Sequence, residues 1–446
     1  MRISPSRTSA FDILFYIETE NAYSSVLLPL ETENLSDVDR GLCYELVLGT
    51  LRRQIFLDEV IRHLAGKKKL DIEVRIALRL GLYQIGYLDR VPPHAAINES
   101  VNLVVRSRKV SAKGFVNAIL RRASLGFPTL DPSDAIEATA IESSHPKWLV
   151  EKWTSDFGPE RTAEICKANN QVIPPAFRMT EWFYAKFGRD KRSAETVASA
   201  LGISETDLRA STTIGGCFYA DRISQEIHSA AEAGLIYFQD AGSQLVAAAT
   251  RIPENGRFLD LCASPGGKVT RVTSDLGTSA ALIVAADLSS PRVSNLKLNC
   301  ERQGLSGIKI IQIDATRDLP FVPGSFDTVL VDAPCTGTGT IRHNPEIRYR
   351  VSADDISTKQ SKQRAILESA SKAIRAGGSL IYATCSLERE ENEDVAEDFV
   401  ARNPEFVVVN PNVPMKFLVQ DRFARTFPSD FEGDGFFIAS FERKSA

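Results

Sequence analysis

The sequence predicts a multidomain protein with an all-α front part, a small α+β connector and an α/β part built on a parallel sheet flanked by helices. Three observations predict it. Apolar residues recur at three- and four-residue spacing from Thr8 to about Ala123, the period of helices that bury one face. The stretch from Asp131 to Phe238 mixes helical and strand-like segments. From Asp240 onward short β-rich runs alternate with helical stretches, the order that a parallel sheet with crossover helices imposes.

In the front part, Ala10, Ile13, Leu14 and Ile17 form one apolar stripe. Ser36 or Asp37 is placed to cap a long helix through Leu42, Leu46, Leu51 and Ile55, because a short oxygen-bearing side chain satisfies the free N–H groups of a first turn. Val74, Leu78, Leu80, Leu82 and Ile85 continue the theme until Pro92-Pro93 breaks it, and helices resume over 94–107 and 112–122. In the connector, His145-Pro-Lys-Trp-Leu opens a helix and Pro174-Pro175-Ala-Phe-Arg-Met leads into a strand. The later strands are expected over 258–261, 282–287, 308–313, 328–332 and 379–384. The resulting division is 1–130, 131–238 and 239–446.

A chain of 446 residues, 43% hydrophobic and 25% charged, has globular proportions with room for two or three domains, which excludes wholesale disorder. The longest apolar run, around 278–286, ends at Asp287 and is roughly half the ~18 residues of a membrane span. The N-terminal stretch has two arginines but no long apolar run or small-residue cleavage site, so a cytoplasmic protein without a membrane partner is expected. Seven cysteines, odd in number and never spaced C-x-x-C, exclude a disulfide framework and a thiolate zinc site, and no metal is expected. The net charge of -4 is not that of a pure nucleic-acid binder, yet residues 1–125 carry 18 Lys+Arg against 14 Asp+Glu, where the remainder carries 35 against 43. Any affinity for a polyanion therefore sits at the front.

Four motifs carry chemistry. Arg257-Phe-Leu-Asp-Leu-Cys-Ala-Ser-Pro-Gly-Gly-Lys268 runs from an apolar strand into a Gly-rich turn and a helix, the place where nucleotide-like ligands bind in doubly wound sheets. It is neither a dinucleotide G-x-G-x-x-G nor a phosphate loop. Asp287 and Asp314 end the next two strands, where a carboxylate can accept from ribose hydroxyls or meet an adenine amino group. Phe326-Asp-Thr-Val-Leu-Val-Asp-Ala-Pro-Cys-Thr-Gly-Thr-Gly-Thr340 delivers Asp332, Pro334 and Cys335 into a loop, and Leu380-Ile-Tyr-Ala-Thr-Cys385-Ser386 ends the strand expected beside it.

A lone cysteine is more often a small buried hydrophobe. Two thiols and a carboxylate at neighbouring strand ends have a purpose in pyrimidine chemistry. C5 of cytosine becomes enamine-like only after a thiolate adds to C6; a second group must then remove the C5 proton, and a carboxyl near N3 stabilises the charge on the ring. These tasks fall to Cys385, Cys335 and Asp332, with Lys268 setting the polarity of the pocket.

With these motifs in place, the chain resembles, essentially over its full length, the RsmB/Sun family of bacterial 16S ribosomal RNA cytosine-5 methyltransferases within the NOL/NOP/Sun group. The resemblance implies a Rossmann-like class I methyltransferase domain that binds S-adenosylmethionine through the turn Cys262, Ala263, Ser264, Pro265, Gly266, Gly267 and Lys268 and the acidic strand ends Asp287, Asp314 and Asp332. It also implies Cys385 as nucleophile and Cys335 as the residue assisting release. Ile341-Arg-His-Asn-Pro-Glu-Ile-Arg348 resembles the family's loop after the first cysteine, with Arg342 touching RNA or positioning the loop, and Gly435 resembles a turn before a closing strand.

The front helices, through Lys113-Gly-Phe-Val-Asn-Ala-Ile-Leu-Arg-Arg122, resemble the RNA-binding antitermination factor NusB. This implies phosphate contacts by Arg106, Arg108, Lys109, Lys113, Arg121 and Arg122. The implied partner is 16S ribosomal RNA, met by a monomer. Two competing readings are a transfer-RNA cytosine-5 methyltransferase and a noncatalytic RNA-binding factor with a degenerate back half; intact Gly266-Gly267, Asp332, Cys335 and Cys385 oppose the second. A DNA cytosine methyltransferase would use the Pro-Cys cysteine as nucleophile and would not be expected to carry Thr-Cys-Ser.

Overall fold

The computed structural model describes residues 3–276 and 280–445; positions 278 and 279, with which the longest apolar run begins, lie outside the described residues. Among those described, no helix is long and apolar enough to cross a membrane. The chain forms two compact units, Met1–Gln171 with Ile341–Arg350, and Val172–Thr340 with Val351–Ala446.

The first unit is helical. Pro5–Thr19, Asp37–Arg52, Gln54–Ala65, Ile72–Tyr87, Pro93–Arg106 and Lys113–Ala123 enclose one core, in which the Ala10, Ile13, Leu14, Ile17 stripe is buried as its period requires. Ser36 is the cap, accepting from Asp39 N at 3.2 Å. The helix expected to run on through Ile55 instead breaks at Arg53, whose ψ of 11° closes one helix and opens the next. Phe56 N then donates to Ser144 Oγ at 3.0 Å, so a residue far along the chain replaces the cap that local sequence lacks.

The connector's helices Ala135–Ser143, Lys147–Phe157 and Pro159–Ala168 belong to this unit, and its strands belong to the second. Segment Ile341–Arg350 is built into the first unit by its own polar groups. Glu346 accepts from Ser24 N at 2.7 Å, Arg348 donates to Ser144 O at 3.1 Å and Asn170 Oδ1 at 3.0 Å, and Tyr349 Oη donates to Leu51 O at 2.6 Å. Arg342 is 2% exposed, which favours positioning the loop over touching RNA.

Two of the six expected phosphate-binding cations are spent within the unit. Arg106 pairs with Asp12 at 2.7 Å, and Lys109 with Asp71 at 2.9 Å and Glu73 at 3.6 Å. Arg122 donates to Leu64 O at 3.0 Å, beside the exposed Lys67, Lys68 and Lys69.

The second unit holds two sheets. Strands β1 (Ala176–Met179), β2 (Leu208–Ala210), β3 (Phe218–Ala220) and β4 (Ile236–Phe238) form an antiparallel sheet in the order β2-β3-β1-β4, with helices between β1 and β2 and between β3 and β4, a ferredoxin-like arrangement. The larger sheet contains β5 (Arg257–Asp260), β6 (Leu282–Asp287), β7 (Lys309–Gln312), β8 (Phe326–Asp332), β9 (Ile374–Thr384), β10 (Phe406–Val409), β11 (Leu418–Val419), β12 (Phe423–Arg425) and β13 (Phe437–Arg443). Its order is β11-β12-β13-β9-β8-β5-β6-β7, with β10 beside β13.

Strands β5 to β9 are mutually parallel, as expected, whereas β13 runs antiparallel to β9 and makes the sheet mixed. Both faces are covered: Phe258, Leu330 and Ile381 face one core, Leu259, Val331 and Tyr382 the other, which is why these strands read as continuous apolar runs. Strand order reverses at β5, between β6 and β8, so the crevice at their carboxyl ends is where a ligand fits.

Candidate active site

Each part of the site leaves the carboxyl end of a parallel strand. The turn after β5 is stitched to its neighbours by backbone: Leu261 N donates to Leu330 O at 3.0 Å, Ala263 N to Ala286 O at 2.9 Å and Gly266 N to Ala263 O at 2.7 Å. Ser264 N donates to Asp287 Oδ2 at 3.1 Å, and Pro265 O accepts from Asn299 Nδ2 at 2.9 Å. Gly266 has φ of +110°, a conformation that strains any side chain, and its missing Cβ would lie 3.0 Å from Leu296 Cδ1, a tight contact to which the leucine would have to yield. Gly267 opens the helix Gly267–Leu276 that carries Lys268.

Lys268 Nζ donates to Asp332 Oδ2 at 2.7 Å and lies 5.1 Å from the centre of the Phe436 ring. Burial pulls this ammonium down, but the charge and hydrogen bond of Asp332, with Cys385 and Asp260 adding, outweigh burial and raise it. Asp287 is 3% exposed, accepts from Leu288 N at 2.8 Å and pairs with Arg292 at 2.9 Å. Asp314, just past β7, has partners of its own. Its carboxylate accepts from Thr316 N at 3.0 Å and pairs with Arg317 at 3.1 Å, and the Thr316 hydrogen bond leads in holding it below the usual carboxylate range. Cys262 is kept a neutral thiol by burial and by the surrounding carboxylates.

The cysteines of the two strand-end motifs come together. Cys335 and Cys385, both half-buried, place their Sγ atoms 3.3 Å apart. β8 and β9 pair in parallel with Asp332 opposite Ala383, so the loops leaving them start side by side. The hydrogen bond to Cys385, followed by burial and the nearby negative charges, raises Cys335 well above an ordinary thiol. Gly435, expected to serve a turn, serves close approach: its N–H donates to Gly339 O at 2.9 Å, while Gly339 N donates to Cys385 O at 2.9 Å. A Cβ on Gly339 would meet Gly435 O at 2.2 Å.

Three residues that sequence reasoning passed over belong to this region. Asp260, at the end of β5, is fully buried, and its carboxyl is pushed up to about 8 by burial and by the charge of Asp332. Its Oδ2 has no partner among the described residues, a buried polar atom left for a ligand. The signal was a charged residue inside an otherwise apolar strand end.

Arg178 of β1 donates to Gly267 O at 3.1 Å, Thr270 Oγ1 at 2.6 Å and Gln303 Oε1 at 2.8 Å, locking the smaller sheet to the Gly-rich turn; burial pulls it down to about 9. Glu391 is completely buried beside Thr336. It stands in an acidic run, Glu390-Glu-Asn-Glu, that reads as a solvated helix start.

Asp260, Asp287 and Asp332 surround the turn, with Lys268 and Arg292 as paired cations. With Asp287 and Asp332 paired to those cations, the unpartnered oxygen of the buried Asp260 carboxyl is a polar group left to meet a nucleoside ligand.

Comparison with known proteins agrees with this layout. The pattern described as 16S rRNA methyltransferase RsmB/F matches residues 248–442, that of the NusB family residues 4–124, and that of the RsmF/B-like ferredoxin-like domain residues 145–181. The probable ribosomal RNA small subunit methyltransferase B of Bacillus subtilis is 33% identical over 100% of both chains. Ribosomal RNA small subunit methyltransferase B of Pseudomonas putida is 33% identical over 84% of each.

Among solved structures, PH0851 aligns with a TM-score of 0.82 at 24% identity, covering 99% of this chain and 100% of that one. A methyltransferase homolog from Pyrococcus horikoshii aligns at 0.55 and 25%, covering 70% and 100%. A relative one-third identical along the whole chain, with matching domains in the same order, leaves one conclusion: this protein belongs to the RsmB/F family of 16S rRNA methyltransferases.

Proposed function

We propose that the chain methylates C5 of a cytosine in 16S ribosomal RNA with S-adenosylmethionine as donor, through a covalent bond between Cys385 and C6. The observation that carries this reading is the pair of thiols 3.3 Å apart beside the Lys268–Asp332 ion pair. S-adenosylmethionine, when bound, supplies an electrophilic methyl group. The turn from Cys262 to Lys268 holds it, with Asp287 toward the ribose hydroxyls, Asp314 toward the adenine edge and Asp260 offering its free oxygen.

The attack falls to Cys385 and the release to Cys335; their sulfurs lie 3.3 Å apart, close enough for a proton to pass in either direction. The Cys385 Sγ–C6 bond forms and pushes electron density onto C5. Asp332 and Lys268 share a proton at the N3 edge and offset the negative charge that the attack places on the ring. After C5 is methylated, Cys335, its own proton released to solvent, takes the C5 proton as the Sγ–C6 bond breaks, which regenerates Cys385.

The NusB-like front supplies phosphate contacts, and we keep 1–130, 131–238 and 239–446 as the working division of RNA-binding, connecting and methyltransferase segments. The reading is tested by bisulfite mapping of ribosomal and transfer RNA from cells with and without the protein. Loss of one protected cytosine in 16S ribosomal RNA is expected; loss confined to transfer RNA would replace the substrate.

A further inference from the structure

The separation of the two thiols has no covalent cause, since Cys335 and Cys385 stand on different loops. Both loops are tied to the same buried carboxylate. Thr336, next to Cys335, donates from its backbone N to Glu391 Oε1 at 3.0 Å and from its hydroxyl to Glu391 Oε2. Thr336 Oγ1 also lies 3.1 Å from Ser386 Oγ, and Ser386 is next to Cys385. Gln363 Nε2 holds Glu391 Oε1 from the other side at 3.0 Å.

The backbone around Glu391 completes the anchor. Tyr382 Oη donates to Glu391 O, and the adjacent Asn392 donates to Ser386 O at 2.9 Å. A carboxylate with 0% exposure, held by hydroxyls, an amide and a backbone N–H, is expensive to bury. Its hydrogen bonds join the two segments that carry the reacting sulfurs, where small displacements matter most.

We propose that Glu391 is a positioning residue that sets the distance and mutual orientation of the Cys335 and Cys385 thiols by tying Thr336 and Ser386 to one carboxylate. The proposal rests on these two thiols being the reacting pair. It has a readout that needs neither RNA nor methyl donor. Diamide takes two electrons and two protons from adjacent thiols, is reduced to the hydrazine and leaves an S–S bond, so the rate of Cys335–Cys385 cross-linking reports their geometry.

The experiment follows this cross-link by mass spectrometry of the two cysteine peptides in wild-type chain, Glu391→Ala, Glu391→Gln and Thr336→Val, with folding checked by circular dichroism. In Glu391→Ala, cross-linking and kcat each fall by about tenfold or more while KM for RNA and for S-adenosylmethionine stays within about twofold. Glu391→Gln retains an acceptor for Thr336 N and recovers part of both losses. A folded Glu391→Ala that cross-links at the wild-type rate overturns the proposal. Should that variant fail to fold, Thr336→Val decides: slower cross-linking supports the proposal and an unchanged rate overturns it. Wild-type chain that cross-links yet methylates no RNA would defeat the proposed reaction and leave the positioning role standing.

Discussion

Lys268 reaches from the first turn of its helix to Asp332 at the end of β8, and the 2.7 Å bond between them joins the Gly-rich turn to the strand that delivers Cys335. Neither side chain is far into solvent, at 12% and 25% exposure. Removing one partner therefore strands a poorly solvated charge. Lys268→Met is expected to lower stability by about 3 kcal/mol, with Lys268→Met/Asp332→Asn losing less than the sum of the single changes. Urea unfolding of the four proteins measures this coupling, and additive losses would remove the pair from the site.

The division of labour proposed for the two cysteines predicts a trapped intermediate. Cys335→Ala retains the attacking sulfur and lacks the group that removes the C5 proton, so it accumulates an RNA adduct resistant to denaturing gel electrophoresis. Cys385→Ala forms none. The opposite pattern would exchange the two roles.

Asp260 makes stability depend on pH. Its folded carboxyl titrates near 8 and its ordinary value is 3.8, so the native state holds a proton that the unfolded chain has released. That contribution is fully present below about pH 4 and is lost as pH rises toward and through 8. Wild-type protein should therefore lose stability between pH 6 and pH 9 relative to Asp260→Asn, whose side chain stays neutral. Urea midpoints of both proteins at the two pH values provide the check, and parallel midpoints would contradict the assignment.

RNA affinity should respond to the exposed lysines of the front unit. Replacing Lys67, Lys68 and Lys69 by Gln is expected to reduce the slope of log affinity against log salt by about 0.7 to 0.9 for each phosphate that is no longer neutralised. Arg106→Gln and Lys109→Gln should change it little, since Asp12, Asp71 and Glu73 already neutralise those side chains. Filter binding across a salt series separates the two sets, and equal effects would refute the distinction.

Much of the molecule was legible along the chain because its signals are local. Apolar spacing revealed the front helices, Ser36 its cap, and the runs ending at Asp287, Asp332 and Thr384 their parallel strands. The Gly-rich turn and the two cysteine motifs announced themselves by residue type. Where local and tertiary preferences diverged, the reading failed: the helix break at Arg53 depends on Ser144, and Arg106 is neutralised by Asp12 from a distant stretch of the chain.

By itself, then, the order of residues determined which side chains end which strands, since period and turn chemistry act over a few neighbours. Tertiary structure alone decided what those ends meet. Sulfurs fifty positions apart in the chain meet within 3.3 Å, Asp260 is driven to a neutral carboxyl, and Glu391 is drawn from an acidic run into the interior. The physical reason is that burial, pairing energy and thiol geometry depend on atoms brought close by β5, β8 and β9 lying side by side, a proximity that no local pattern encodes.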